Sequence, residues 1–259
     1  MLRPAVIFST VLVLVVIGPF FTAYTPTQTN PDHQLQPPGR DHLLGTDLLG
    51  RDVLSRYLHG GRQTLLAATV ATAAAVALGA ALGLVMGMET GRADTLLMPL
   101  INALLAVPGI VLALVVLAAA GRGVMPLGLA VGLSQVAPTA LIVRSAALTV
   151  RTQGYVDAAR ALGASRLRIV TRHVLPNIAP TLTAYTSVVF GYALLSGAAL
   201  TFLGVGYVPG TPDWGIMLAE SRAVFRVAPW IGVAPGLTIA ALVWAGSDLA
   251  DTLSAARAR

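Results

Sequence analysis

The sequence predicts an all-α membrane protein of about six transmembrane helices with both termini cytoplasmic. Three observations predict it. First, 56% of the 259 residues are hydrophobic and 11% charged, with a mean hydropathy of +0.77. A soluble domain carries about 25% charged residues. Second, the windows 4–31, 63–88, 95–121, 123–143, 174–212 and 227–247 contain no Asp, Glu, Lys or Arg. A spanning helix needs about 20 consecutive apolar residues. Third, Arg144, Arg151, Arg160, Arg166, Arg168 and Arg172 share one loop with Asp157 as its single acid, the charge bias expected of a cytoplasmic loop.

The first span is 5–25, read as an uncleaved helix because no small-residue cleavage site follows it cleanly. Residues 26–64 form an extracytoplasmic segment, Pro/Asn/Gln-rich at its start. Within it Leu48, Leu49, Val53, Leu54, Tyr57 and Leu58 recur near helical period. That predicts a short amphipathic helix lying at the membrane interface, with Asp47 at its favoured acidic end. Arg40, Arg51, Arg56 and Arg62 make this segment discordant with the positive-inside rule. The alternative would export the loop holding six Arg.

Residues 65–247 form the core, with five spans. Span two, 65–88, is rich in Gly and Ala, which lets membrane helices approach closely. Span three, 96–119, is interrupted by Pro108-Gly109. Span four, 127–148, contains Pro138. The longest window is trimmed by its prolines and glycines to one span, 181–203. Span six is 230–246, and 248–259 is a cytoplasmic tail. No segment alternates as a transmembrane β-barrel strand does.

Catalytic and metal constellations are not visible. Zero cysteines exclude a disulfide scaffold and a Cys-based zinc site. His33, His42 and His59 share the 26–64 segment with four Asp, without the spacing of a ligand motif. There is no phosphate-binding glycine loop of the P-loop pattern. The net charge of +6 is distributed by membrane topology, and no nucleic-acid partner is expected.

The Arg-rich loop, 144–178, carries the most information. Asp157, Ala158, Ala159 and Ala161 favour a short helix, Gly163 ends it, and Pro176 suits the start of span five. Such a small-residue knuckle can dock in a groove of a partner protein. The plain alternative is an Arg-rich loop touching anionic headgroups.

Asp157-Ala158-Ala159, Gly163 and Leu175-Pro176 resemble the E-A-A-x3-G-x9-I-x-L-P motif of permease subunits of bacterial ABC importers. Arg172 to Asn177, reading R-H-V-L-P-N, resembles one branch, the dipeptide/oligopeptide/nickel permeases. Residues 42–56, Gly60-Gly61-Arg62, 198–206 and Asp213-Trp214-Gly215 with Ala219-Glu220 are similar to that branch, and their order resembles the second, C-type permease of a pair. Asn102, where the family often has Asp, and Ser196-Gly197, where a Glu is common, depart from the pattern, and the tail matches it loosely.

The resemblance implies the ABC type I importer permease fold. It also implies a non-enzymatic chain that pairs with a paralogous permease as a heterodimer, with one or two cytoplasmic ABC ATPases and with an extracytoplasmic solute-binding protein. ATP and Mg would sit on the partner ATPases, and this chain would bind no cofactor. ATPase coupling falls to Tyr155, Asp157, Ala158, Ala159, Gly163, Leu175 and Pro176. Polar residues within the spans are the candidates for the translocation path, foremost Asn102, Gln135 and Ser196. The expected substrate is a dipeptide or oligopeptide, with nickel or a nickel chelate as the alternative. An ATPase-independent channel would leave the knuckle unexplained.

Overall fold

A computed structural model describes residues 2–89 and 91–257, with side chains for 6–89, 91 and 94–252. Near the termini, Arg259 lies outside the described residues, as do the side chains of Arg3 and Arg257. The helices are α1 (Leu2–Ile17), α2 (Val53–Met88), α3 (Arg92–Ala106), α4 (Gly109–Ala120), α5 (Val124–Ser134), α6 (Val136–Arg151), α7 (Gly154–Ala161), α8 (Arg166–Ile169), α9 (Leu175–Phe202), α10 (Trp214–Ser221) and α11 (Trp230–Arg257). There is no strand among the described residues, and Thr46 with Asp52 makes an isolated bridge.

Three continuous helices are long and apolar enough to cross a bilayer: Val53–Met88, Arg166–Phe202 and Trp230–Thr252. Two helix pairs reach that length and hydropathy only together and are bent where they join: α3 and α4 meet at 94°, α5 and α6 at 47°. The shorter apolar helix Val6–Phe21 is the sixth apolar element. The breaks have local causes. Pro108 lacks an amide hydrogen, and its extended backbone ends α3 before Gly109 begins α4. Pro138 in the first turn of α6 can give no hydrogen bond back to Ser134, so α5 ends there and Gln135 serves as the joint.

Helix α2 is the central stem. Gly79, Gly83 and Gly87 recur every fourth residue and face α6. A Cβ at Gly79 would lie 2.5 Å from Thr139 Cβ, and one at Gly87 would lie 2.7 Å from Ala147 Cβ. Without side chains there, the two backbones come together as in other small-residue membrane interfaces. Helices α5 and α9 pack on other faces of α2, and α11 packs on α9 and α1.

The separate interfacial helix expected before span two is absent. Residues 53–58 are the first turns of α2 itself, which runs unbroken through Gly60 and Gly61 to Met88. Those glycines are close-approach sites: a Cβ at Gly60 would lie 2.9 Å from the Asp213 amide nitrogen, and one at Gly61 would lie 2.7 Å from the Trp214 ring. Asp52, not Asp47, caps the helix, accepting from the Ser55 amide at 2.7 Å. Asp47 instead folds the preceding turn by accepting from the Leu49 and Arg51 amides at 2.8 and 3.0 Å. At the other terminus, α11 continues through Asp248, so the expected tail extends the last span as helix.

Candidate coupling knuckle and membrane path

At the Arg-rich end, α6 turns into α7 through Gln153, whose carbonyl accepts from the Val156 and Asp157 amides at 2.9 and 3.4 Å. Helix α7 then ends in a Schellman motif. The Ala164 amide donates to Ala159 O and the Gly163 amide to Arg160 O, both at 3.0 Å, with Gly163 at φ +80°. That conformation costs an L side chain about 1–2 kcal/mol, which is why glycine suits the position. Ser165 caps α8 through the Arg168 amide at 3.3 Å.

Beyond α8 the chain widens into a π turn, 170–174, before α9. The Leu175 amide bonds to Val170 O, five residues back, and Pro176 has no amide to give Arg172 O. Leu175 and Pro176 thus start α9 within one continuous, locally underwound helix rather than after a loop. Asn177 Nδ2 donates to His173 O at 2.6 Å.

The knuckle has a buried side and a bare side. Val156 is fully buried in a cluster with Val143, Ala147 and Val150 of α6, and with Ile169, Val174 and Ile178 below it. Tyr155, Ala158, Leu162 and Leu167 face outward, Leu162 with 89% of its surface exposed. Asp157 is exposed and pairs with Arg160 at 2.9 Å. It does not cap α7, because the cap position belongs to Gln153, whose side chain makes no capping bond.

Two of the three residues expected to line a path, Gln135 and Ser196, sit on or at the end of helices that flank Gly109. A Cβ at Gly109 would lie 2.7 Å from the Tyr192 hydroxyl and 3.5 Å from Ser134 Oγ. The break at Gly109 is thus approached both by α9, at Tyr192, and by the end of α5, at Ser134. Gln135 is half-buried at this junction, and half-buried Ser196 lies one turn beyond Tyr192 on the same side of α9. Asn102 is exposed on α3, next to Ile101, which is buried against Met86, Ala137 and Ala140. Among the described residues, none of the three makes a side-chain hydrogen bond, so the interhelical bonding that lipid-buried amides invite is not formed within this chain. Thr139 and Thr186 instead satisfy themselves on carbonyls one turn back, Gln135 O and Leu182 O, both at 2.7 Å.

The opposite end is closed by polar groups that periodicity did not reveal. Fully buried Arg56 pairs with Asp47 and Glu220. Arg51 donates to Asp47 at 2.7 Å and to both Glu220 oxygens at 3.1 Å. His42 Nδ1 lies 2.9 Å from Asp52. Arg62 bonds the Val15 and Val16 carbonyls at the end of α1 and lies over the Phe20 ring. Three of the four discordant Arg are thus neutralised or tied down. A net-charge count misses this because Glu220 is 164 residues from Arg56 in sequence.

Asp213 anchors the same end. Its carboxylate accepts from Thr64 and Thr201 at 2.6 Å each and from the Gly215 and Ile216 amides at 2.9 and 3.2 Å. Burial pushes this carboxyl above the ordinary carboxylate range, against the pull of those four donors. Trp214 is fully buried, stacks on Tyr57 at 5.6 Å and donates to Tyr57 O at 2.9 Å.

The fold is an all-helical bundle of long apolar helices and bent helix pairs, with a polar cluster at one end and an exposed knuckle at the other, as suits a subunit set in a membrane. Residues 79–258 match the family of binding-protein-dependent transport system inner membrane components, and the chain belongs to it. It is therefore an inner-membrane permease subunit of an ABC importer, a class with the type I fold. A Brucella suis protein carrying the name of a peptide transport system permease is 41% identical over 248 residues, 94% of this chain and 83% of that protein. The glutathione transport system permease protein of Shigella flexneri is 40% identical over 216 residues, 83% of this chain and 71% of that protein. Its Escherichia coli O6:K15:H31 counterpart is 38% identical over the same length.

Proposed function

We propose that this chain forms half of the path of an ATP-driven importer of dipeptides or oligopeptides, beside a paralogous permease, with α7 docked on a cytoplasmic ATPase. The carrying observation is the two-sided knuckle. Val156 locks α7 to α6 and to the start of α9, while Tyr155, Leu162 and Leu167 offer apolar surface to a partner. A push on α7 then reaches the Gln135 joint through α6 and the Tyr192 junction through α9. ATP and Mg belong to the ATPases, and a solute-binding protein delivers substrate at the Asp213–Glu220 end. The peptide reading is supported by the peptide and glutathione permeases among the relatives, glutathione being itself a small peptide.

The test is purification of the tagged chain from its own membrane, with identification of the chains that accompany it and uptake assays with labelled tripeptide and nickel. A second permease and one or two ATPases are expected. Leu162→Arg, at a position outside the core, should release the ATPases and abolish uptake while the chain stays in the membrane. Full uptake by Leu162→Arg and Gly163→Pro would refute the docking role. Uptake of nickel without tripeptide would refute the substrate.

A further inference from the structure

Next to the knuckle, between the end of α2 and the start of α8, lies a cavity of about 570 Å³. That is within the range of small-molecule sites, about 300–1,000 Å³. Its walls are of two kinds. Leu84, Val85, Met88, Leu167, Ile169 and Val170 supply apolar surface at the end of α2 and along the chain from 167 to 170. Arg151, Arg160 and Arg166 supply guanidinium groups, against Glu89 as the one acid in the lining.

These arginines are incompletely committed. Arg166 pairs with Glu89 at 2.6 Å and Arg160 with Asp157 at 2.9 Å, both in exposed pairs. Exposed pairs hold together weakly, at about 0–1 kcal/mol, and yield to a better acceptor. Arg151 is half-buried, and its one side-chain bond among the described residues is a long one, 3.4 Å to Gly87 O. A planar guanidinium so placed is suited to a phosphate, which it can bind through two parallel hydrogen bonds.

We propose that this cavity binds an anionic glycerophospholipid, its phosphate held by Arg151 and Arg166 and its acyl chain laid along Val85 and Met88. The occupant follows from the pairing of chemistries. A soluble anion would leave the apolar wall wet, and a neutral lipid would leave three arginines facing one acid. The site also sits where the apolar length of α2 ends, the depth at which a headgroup meets its acyl chains. The cavity shares Arg160 of α7 and Leu167 with the knuckle, while Arg151, on α6, and Val85 and Met88, on α2, lie outside the surface offered to the ATPase.

The test uses the intact importer in mild detergent, titrated with dioctanoyl-phosphatidylglycerol, dioctanoyl-phosphatidylcholine or inorganic phosphate. Thermal protection and mass-resolved lipid adducts are the readouts. Saturable protection and a retained adduct are expected with phosphatidylglycerol alone. Arg151→Gln should weaken binding about tenfold, and Arg166→Gln, at an exposed position that leaves folding intact, should weaken it similarly. Arg172→Gln, in the same loop but outside the cavity, should leave binding unchanged. Equal binding of phosphatidylcholine or of phosphate, absence of any adduct, or equal weakening by Arg172→Gln would overturn the proposal.

Discussion

Replacing Asp213 separates a structural plug from a decorative polar loop. In the Asp213→Ala variant four donors lose their acceptor. Two have a fallback: Thr64 Oγ1 can give its proton to Gly60 O at 3.0 Å, and Thr201 Oγ1 to Ala198 O at 3.1 Å. The Gly215 and Ile216 amides, at the first turn of α10, have none. Each orphaned amide costs about 1–3 kcal/mol, so the variant should lose about 2–6 kcal/mol. That is a large share of the 5–15 kcal/mol typical of a folded domain. The melting temperature should fall by about 4–24 °C. Asp213→Asn keeps one oxygen for both amides and Thr201, while its NH2 can donate to Thr64, and it should stay within about 1 kcal/mol of the parent. Fluorescence of buried Trp214, stacked on Tyr57, reports unfolding in detergent. An Asp213→Ala protein that melts with the parent would refute the reasoning.

Because burial raises the Asp213 carboxyl, the unfolded chain releases this proton before the folded one as pH rises. The stabilising effect of the protonated group is thus present near pH 4, the ordinary value, and is lost as pH climbs through the raised folded value. Parent melting temperature should decline against Asp213→Asn across that window, and a constant difference would exclude it. Arg56→Met leaves Asp47 and Glu220 with Arg51 alone and removes a fully buried cation. It should cost about 3–5 kcal/mol, read as tryptic cleavage at Arg40 or Arg51 in folded conditions. In Gly83→Ile the new Cβ would lie 2.8 Å from Val143 Cβ and 3.0 Å from the Arg144 amide nitrogen. Separation of α2 from α6 should remove the chain from the membrane fraction, whereas Leu78→Ile, on an exposed face, should leave its level unchanged.

Much of this architecture was legible because lipid imposes a one-dimensional rule. Charge-free windows mark spans, and the windows 63–88, 174–212 and 227–247 each coincide with a long apolar helix. The knuckle was legible for a different reason: its turn needs a residue at positive φ, and Gly163 supplies it within a run of helix formers. Period alone misled at residues 48–58. A pattern of apolar residues cannot tell a surface helix from the first turns of a longer one. The deciding facts lay far away in sequence, in Asp213 and Trp214, which hold Gly60 and Gly61 inside α2.

The polar end shows the same limit more sharply. Arg51 and Arg56 counted as exceptions to the charge rule as long as they were counted singly. Joined to Asp47 and Glu220 they are one network, and it fastens the 26–52 loop to α10. Path residues were the least legible, because a polar side chain within a span is equally suited to bond a neighbouring helix or face a passage. The helix breaks discriminate where residue type does not. Gly109 is approached by the Tyr192 hydroxyl and by Ser134, the residue before Gln135, with Ser196 one turn further along α9. Asn102, on the exposed side of α3, joins them only if a second subunit covers that face, which makes cross-linking from position 102 to the partner permease the measurement that assigns it.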